Sequence, residues 1–339
     1  MFLAAAAPAA AADASAPLLH FDGAVAARYL WQPSLRREAF EYLYFVGARV
    51  NALQTDGAGL ALQSRFATFD TRRYIKGFAA TGAGTVAAEP VFNFNRLYLE
   101  GFLKGDGARA GLQAGVVGLE LPTVQLPLVS MQVGALAGLR ADLSAGDWAF
   151  GGVAGNLRTD QTHEVTYKIE GLRERWNYAR GWVDRRSPAG KTRLGVEGHD
   201  TRVKGVDSRD SAFFLEQETP LLDGRLVPRV YARYQQDQDL FSEVVASLEA
   251  RPWGRWLSVR PGYFYYDRSR RAVHPPNSNF FAPGRDQNNL FLHLESALPR
   301  ASDSLYAAVT TGAKRFMAQQ GTRFETGLFL RFKKFPYLP

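Results

Sequence analysis

Arginine and aromatic side chains recur at every second position in several stretches of the sequence. Tyr178-Ala-Arg-Gly-Trp182 is one such stretch, and Arg229-Val-Tyr-Ala-Arg233 is another. A guanidinium group offers forked hydrogen-bond donors to carboxylate and hydroxyl groups. An aromatic ring stacks on a sugar ring or a cation. Residues of these types on one face of an extended chain predict a surface that contacts polar solutes, in particular a sugar chain with anionic groups.

Twelve positions share this pattern and are predicted to line one passage for a solute: Arg49, Arg65, Arg96, Tyr98, Tyr178, Arg180, Trp182, Arg193, Arg229, Tyr231, Arg233 and Arg260. The alternative is a salt-bridged lining, in which these arginines pair with acidic residues on the same face: Glu164, Glu170, Glu197, Glu295 and Glu325. The chain carries 41 basic and 33 acidic residues, so pairing can neutralise most of the charge. The sequence leaves both interpretations open.

The elements that must position these residues are long β-strands with two different faces. In the C-terminal stretch 322–335, Phe324, Leu328 and Leu330 fall on one side of an extended strand and Arg331 falls on the other. A period of two indicates a strand whose faces meet different environments. Alternating runs of about 10–13 residues recur along the chain, longer than the usual strand of about 5–6 residues in soluble sheets.

The composition narrows the architecture further. The chain has 339 residues, of which 46% are hydrophobic, and it has no cysteine. The absence of cysteine rules out a disulfide framework and thiolate metal sites. Beyond the alanine-rich start, no stretch reaches the roughly 18–20 uninterrupted apolar residues of a membrane helix. These features exclude a spanning helix but not a closed sheet.

Two architectures accommodate many long two-faced strands: a soluble sandwich with its apolar face inward, and an outer-membrane barrel with its apolar face toward lipid. Strands near 10 residues fit a tilted crossing of the bilayer. Aromatic residues near strand ends, such as Tyr29, Trp31, Trp253 and Trp256, fit interfacial girdles. Short turns such as 187–190 alternate with longer connections. We therefore predict an all-β fold, a transmembrane antiparallel β-barrel in the outer membrane of a Gram-negative bacterium.

The number of strands follows from counting the alternating stretches. Seventeen stretches qualify as strands, 162–172 among them, whereas bacterial single-chain barrels have even counts. The weakest region is 73–90, where Tyr74–Ala80 is a candidate for an extra strand. We predict about 16 strands, with 18 as the alternative. A barrel of about 16 strands leaves room for an aqueous passage, so transport is the expected function.

The chain divides into two parts. Residues 1–16 are rich in alanine, and the A-x-A patterns around 10–14 resemble the end of a secretory signal peptide. The alternative is a disordered alanine-rich tail. Residues 17–339 are predicted to form the barrel.

The final strand has a second role. An open sheet exposes backbone groups that hydrocarbon cannot satisfy, so the last strand must pair with the first. The stretch ending at Phe335 resembles the C-terminal recognition signal of bacterial outer-membrane proteins, although residues 336–339 depart from the usual terminal aromatic residue. This resemblance implies outer-membrane lipid and the barrel assembly machinery as partners.

A second resemblance concerns a late part of the chain. Asn277-Ser-Asn-Phe-Phe-Ala-Pro283, followed by Asn289-Leu-Phe-Leu-His-Leu-Glu295, resembles a stretch of exopolysaccharide-export porins, the barrel domains of the cellulose-synthase C subunit and of the poly-N-acetylglucosamine exporter. The resemblance rests on one short motif within roughly the last 60 residues. It implies a 16-stranded barrel that passes a polysaccharide outward. No 34-residue helical repeat occurs here, so any periplasmic scaffold would be a separate protein.

The long connection 269–287 precedes that late strand and is predicted to gate the outer mouth. Its two Pro-containing pairs limit backbone freedom, which favours a shaped loop. The gate residues are predicted to be Arg268, Arg270, Arg271, Phe280, Phe281 and Arg285. An ordinary extracellular loop is the alternative.

Catalysis is not expected. His293 is followed three residues later by Ser296, a spacing that does not suit a hydrolase pair, and His199-Asp200 has no second acidic pair nearby. Zinc-protease, P-loop and nucleophile-elbow motifs do not occur, and no cofactor or metal is predicted. The arginines are scattered with the strand period, which disfavours nucleic acid. We therefore predict polysaccharide export, with a general or anion-selective diffusion porin as the alternative and an outer-membrane hydrolase as a second alternative.

Overall fold

In the computed structural model, the described residues are 18–33, 37–70, 72–74, 85–87, 91–119, 134–158, 175–203, 206–236, 240–266, 287–297, 305–317 and 321–332. Almost all of them are β-strand. No helix in these ranges is long and apolar enough to cross a membrane.

Within the described residues, sixteen antiparallel strands form one closed barrel. These strands are β1 (Leu19–Gln32), β2 (Arg37–Gln54), β3 (Ala58–Asp70), β6 (Val91–Gly105), β7 (Ala108–Leu119), β8 (Gly134–Ala145), β9 (Trp148–Arg158), β10 (Arg175–Ser187), β11 (Gly190–Val203), β12 (Val206–Glu218), β13 (Leu226–Gln235), β14 (Leu240–Ala250), β15 (Leu257–Tyr266), β16 (Gln287–Ala297), β17 (Leu305–Phe316) and β18 (Gly321–Phe332). The predicted count of 16 is confirmed.

The described residues in and next to the region 73–90 do not add strands to the barrel wall. Two short strands, β4 (Arg72–Tyr74) and β5 (Thr85–Ala87), pair only with each other in a separate two-stranded sheet. They do not raise the barrel to 18 strands. The predicted strand 162–172, which made the sequence count odd, lies outside the described residues, as do the proposed signal residues 1–16.

Each barrel strand pairs with its neighbour along the barrel, and the last strand returns to the first. β1 and β18 pair in register from Gly23 opposite Phe332 to Trp31 opposite Phe324. Closure leaves no unpaired sheet edge, which is the condition for a sheet to stand in hydrocarbon.

The two faces of the wall differ as the sequence period predicts. In β13, Val227, Tyr231, Arg233 and Gln235 are buried, whereas Val230 between them is exposed. The exposed face carries large apolar side chains all around the barrel, including those of Leu99, Leu112, Leu139, Leu194, Phe213, Leu292 and Leu328. Because the barrel is closed, the exposed apolar face is its outside and forms a band for lipid.

One end of the barrel has short turns with backbone conformations that favour glycine. Gly107 and Gly146, in the turns that follow β6 and β8, have φ angles of 71° and 55°. The turn between β12 and β13 is different, because Leu222 and Asp223 adopt φ angles of 51° and 54°. In bacterial barrels the short turns mark the periplasmic end.

Candidate functional site

The inner wall is the candidate functional surface, because the predicted solute-contacting residues lie there. Eleven of the twelve have side chains on the inner face of a barrel strand: Arg49, Arg96, Tyr98, Tyr178, Arg180, Trp182, Arg193, Arg229, Tyr231, Arg233 and Arg260. Arg65 lies in β3, but its side chain is not among those described. The six predicted gate residues, between 268 and 285, all lie outside the described residues.

Arg233 is the centre of the most buried charge network on this wall, with only 1% of its surface exposed. It donates hydrogen bonds to the carboxylates of Glu197 and Asp210. It also donates to the hydroxyl oxygen of Ser242 at 2.6 Å. Tyr178 donates its phenolic proton to Glu197 at 2.8 Å. One guanidinium therefore joins carboxylates from two strands, β11 and β12.

A local irregularity of β14 makes this network possible. Arg233 pairs with Glu243, but the next residue, Tyr234, pairs with Phe241, so Ser242 is an extra residue in β14. Such a bulge leaves one residue unpaired and turns the strand locally. As a result, Ser242 and Glu243 are both buried next to Arg233, although they are adjacent in sequence.

A second network lies nearer the short turns and centres on Glu249, which is fully buried. Arg229 donates to it at 2.5 Å, Arg251 at 2.8 Å and Arg260 at 3.3 Å. Arg229 also donates to Glu218 at 3.0 Å. A carboxylate that accepts hydrogen bonds from several guanidinium groups can remain charged in a buried position.

Paired charges continue around the wall from β11 toward β2. Arg193 donates two hydrogen bonds to Asp184, at 2.5 and 2.8 Å. Arg140 donates to Asp142 at 2.8 and 3.2 Å, and Arg49 donates to Glu100 at 2.7 Å. The described inner wall thus has the salt-bridged lining that the sequence left open as an alternative.

The acidic partners differ from those named in the sequence. Glu197 pairs with Arg233 as expected, and Glu295 is buried on the inner face of β16. Glu164 and Glu170 lie outside the described residues, and the side chain of Glu325 is not described. The partners that sequence reasoning missed are Glu100, Asp142, Asp184, Asp210, Glu216, Glu218 and Glu249. Each of these acidic residues lies on the inward phase of its strand, and the sequence alternation could have identified it for that reason.

Aromatic rings and guanidinium groups are interleaved on the same wall. The guanidinium carbon of Arg180 lies 3.9 Å from the ring centre of Phe214. Those of Arg140 and Arg193 lie 5.6 and 5.3 Å from the indole of Trp182. The buried residues of this part of the wall form one apolar cluster: Phe214, Tyr231, Val245, Phe264 and Phe291. Charged and aromatic side chains therefore pack against one another on the inner wall.

The two histidines considered as parts of hydrolase sites do not meet the partners that such sites need. His293 is buried on the inner face of β16, whereas Ser296 is exposed on the opposite phase. His199 faces inward, with its Nδ1 atom 3.7 Å from Asp210. Its sequence neighbour Asp200 pairs instead with the exposed Arg209 at 3.6 Å. Among the described residues, no group of three or more potential metal ligands comes together.

Comparison with known proteins places the fold in a class. No protein-family model and no curated protein matches the sequence. Solved structures do match over 93% of this chain. OprB of Pseudomonas putida, in its high-pH structure, gives a TM-score of 0.59 at 8% identity over 93% of its own chain. Salmonella typhi OmpF, in complex with daunomycin, gives 0.56 at 9% identity over 97%. The anion-selective porin from Comamonas acidovorans gives 0.53 at 13% identity over 98%.

The chain therefore has the fold of bacterial outer-membrane porins. The predicted fold class, an antiparallel transmembrane β-barrel, is confirmed. A closed barrel of this class with an apolar outer face belongs in the outer membrane, which is the predicted location.

Proposed function

We propose that this protein is a passive diffusion channel for small hydrophilic solutes across the outer membrane. The observation that carries the proposal is a closed barrel of sixteen strands with charged residues on its inner wall. Barrels of about 8 strands are filled by their own side chains, whereas those of 16–18 strands leave an aqueous channel. Charged residues on an inner wall are compatible with a water-filled lumen and not with a lumen sealed by apolar packing alone.

The proposed channel discriminates weakly between anions and cations. One neighbour in fold is described as anion-selective, and the inward arginines favoured the same property here. However, Arg193, Arg229 and Arg233 each contact carboxylates, so their charge is largely neutralised within the wall. Arginines that are paired in this way contribute little net field to the lumen and give anions little advantage.

Liposome swelling tests this function directly. Liposomes that contain the purified, refolded protein are placed in isotonic solutions of sugars of increasing size, from pentoses to trisaccharides. A diffusion channel gives a swelling rate that falls smoothly with molecular mass. Liposomes with the heat-denatured protein serve as the control. Absence of swelling with the smallest sugars would overturn the proposal.

Polysaccharide export is the second candidate. The observation that favours it is the interleaving of aromatic rings with hydrogen-bonding groups on the inner wall, as at Trp182 between Arg140 and Arg193. A sliding sugar chain needs many weak stacking and hydrogen-bonding sites. The exporter has no catalytic step of its own, and neither does the diffusion channel, so both proposals describe a protein that is not an enzyme.

Current block by oligosaccharides separates the two candidates. Neutral glucose oligomers of increasing length are added on the short-turn side of a planar bilayer that contains single channels. An exporter predicts blockades that lengthen with the oligomer, because each added sugar unit makes further contacts with the wall. A diffusion channel predicts brief blockades that disappear once the oligomer is too wide or too long to enter.

A further inference from the structure

Four aromatic rings on the inner wall pack directly against glycines. A Cβ atom placed on Gly151 would lie 2.2 Å from the indole of Trp182, well inside contact distance. The same overlap occurs at 2.1–2.2 Å for three further pairs: Gly59 with Phe102, Gly195 with Phe214, and Gly262 with Phe291. Each ring thus occupies the space that a side chain on the glycine would fill.

The arrangement follows from strand register. Trp182 lies directly opposite Gly151 across the β9–β10 pair, and the other three rings are likewise opposite their glycines. A glycine within a strand often marks a close approach of another group to the backbone. Here the approaching group is an aromatic ring on the inner wall.

We propose that Gly151 sets the clearance of the channel, because the absence of a side chain there leaves room for the Trp182 ring against the wall. The inference rests on the proposed function as a channel. Gly151, Trp182, Gly195 and Phe214 are consecutive partners in one row around the wall. Two of the four rings therefore belong to one row of cross-strand partners on the inner wall.

Trp182 is the informative member of this row. Trp182 is only partly buried, whereas Phe214 is 3% exposed and lies beneath Arg180. The nearest atoms to a Cβ on Gly151 all belong to the Trp182 ring. A Cβ on Gly195 would also meet the carbonyl oxygen of Gly181 at 2.4 Å, so a substitution there would strain the backbone. A side chain on Gly151 acts through the ring alone.

The test compares two neighbouring glycines of β9. Gly151→Ala pushes the indole toward the lumen, and its single-channel conductance should fall by up to about twofold, because conductance follows the width of the narrowest section. Gly152→Ala is the matched control. Gly152 faces outward, and a Cβ there meets only the Arg180 carbonyl oxygen at an ordinary 3.7 Å, so its conductance should equal that of the wild type.

A rescue experiment distinguishes the ring from a general effect on the strand. The double variant Gly151→Ala/Trp182→Ala has no ring to displace and should conduct at least as well as the wild type. Heat-modifiable gel mobility verifies that each variant forms a closed barrel. The inference is overturned if Gly151→Ala conducts like Gly152→Ala, or if removal of Trp182 leaves the conductance low.

The failure of this inference differs from that of the proposed function. A wild-type barrel that folds but does not conduct overturns the channel and the inference that rests on it. A conducting wild type whose Gly151→Ala variant is unchanged overturns only the role of Gly151.

Discussion

Trp31 of β1 and Phe324 of β18 stack across the seam where the barrel closes, with ring centres 5.6 Å apart and ring planes at 34°. The two residues are cross-strand partners in the register that runs to Gly23 opposite Phe332. Cross-strand aromatic pairs stabilise antiparallel sheets. The first and last strands are therefore joined by side chains as well as by backbone hydrogen bonds.

The seam can be tested by cross-linking, because the chain has no cysteine of its own. Ala27 and Leu328 lie opposite each other in β1 and β18, at a separation that suits a disulfide. The double variant Ala27→Cys/Leu328→Cys should form a disulfide on oxidation, detected by a mobility shift on a non-reducing gel.

Thr326 provides the control for this pair, since its partner is Tyr29 and it is diagonal to Ala27. Diagonal positions are about 7–8 Å apart, too far for a disulfide without backbone movement. Ala27→Cys/Thr326→Cys should remain reduced. Equal cross-linking of both variants would contradict the register at the seam.

The facing of the wall is tested by one substitution at adjacent positions of β7. Leu112 is exposed on the apolar outer face, and Leu112→Arg should lower the free energy of unfolding by roughly 2–4 kcal/mol near the bilayer midplane. Gln113 lies between Glu100 and Arg140 on the inner face. Gln113→Arg should cost much less. Unfolding in urea from lipid vesicles measures both, and equal or reversed costs would refute the assigned faces.

Removal of the Arg233 guanidinium should strongly lower the free energy of unfolding. Arg233→Met leaves Glu197 and Asp210 buried without their main partner, and removal of one member of a buried pair costs about 3–5 kcal/mol. Arg209 is the matched control, since its side chain is 81% exposed and pairs with Asp200 at 3.6 Å.

An exposed ion pair contributes only about 0–1 kcal/mol, so Arg209→Met should unfold nearly as the wild type does. Denaturant titrations of the two variants, followed by tryptophan fluorescence, give the comparison. A loss at Arg233 no larger than that at Arg209 would mean that the network does not stabilise the wall.

A substitution in the turn between β12 and β13 should stabilise the protein. Leu222 adopts a φ of 51° and is exposed, and the left-handed region costs a residue with an ordinary side chain roughly 1–2 kcal/mol. Asparagine tolerates this region better. Leu222→Asn should therefore raise the free energy of unfolding by up to about 1 kcal/mol.

The neighbouring Leu221 has no positive φ angle, so Leu221→Asn should bring no such gain. Urea unfolding of the two variants measures the difference. If Leu222→Asn is neutral or destabilising, the Leu222 side chain contributes contacts that outweigh its backbone strain.

Much of this fold is predictable from the sequence because the side-chain period of a strand is two. Alternation alone assigns Tyr178, Arg180 and Trp182 to one face, and that face is the inside because the opposite, apolar face must meet lipid. The pairing of Arg233 with Glu197 and Asp210 is not predictable in the same way, because it depends on the register of three neighbouring strands. The bulge at Ser242 is hidden for the same reason. A single extra residue in a strand does not change the composition or the hydrophobicity of the sequence in a recognisable way.

The contacts between inner-wall rings and glycines are likewise not predictable from the sequence. Gly151 and Trp182 are 31 positions apart in sequence and face each other only once the register of β9 and β10 is known. Glycine within an alternating strand does signal a close approach of another group, but the sequence does not identify that group.

The most direct test of the central claim, a water-filled channel whose wall charges are paired, is the reversal potential of single channels in a planar bilayer under a potassium chloride gradient. We expect stepwise, voltage-independent conductance with a reversal potential close to zero, because the inward arginines are neutralised by their carboxylate partners. Absence of conductance from the folded barrel would contradict the channel. A reversal potential near the chloride equilibrium value would contradict the paired wall and indicate an anion-selective porin.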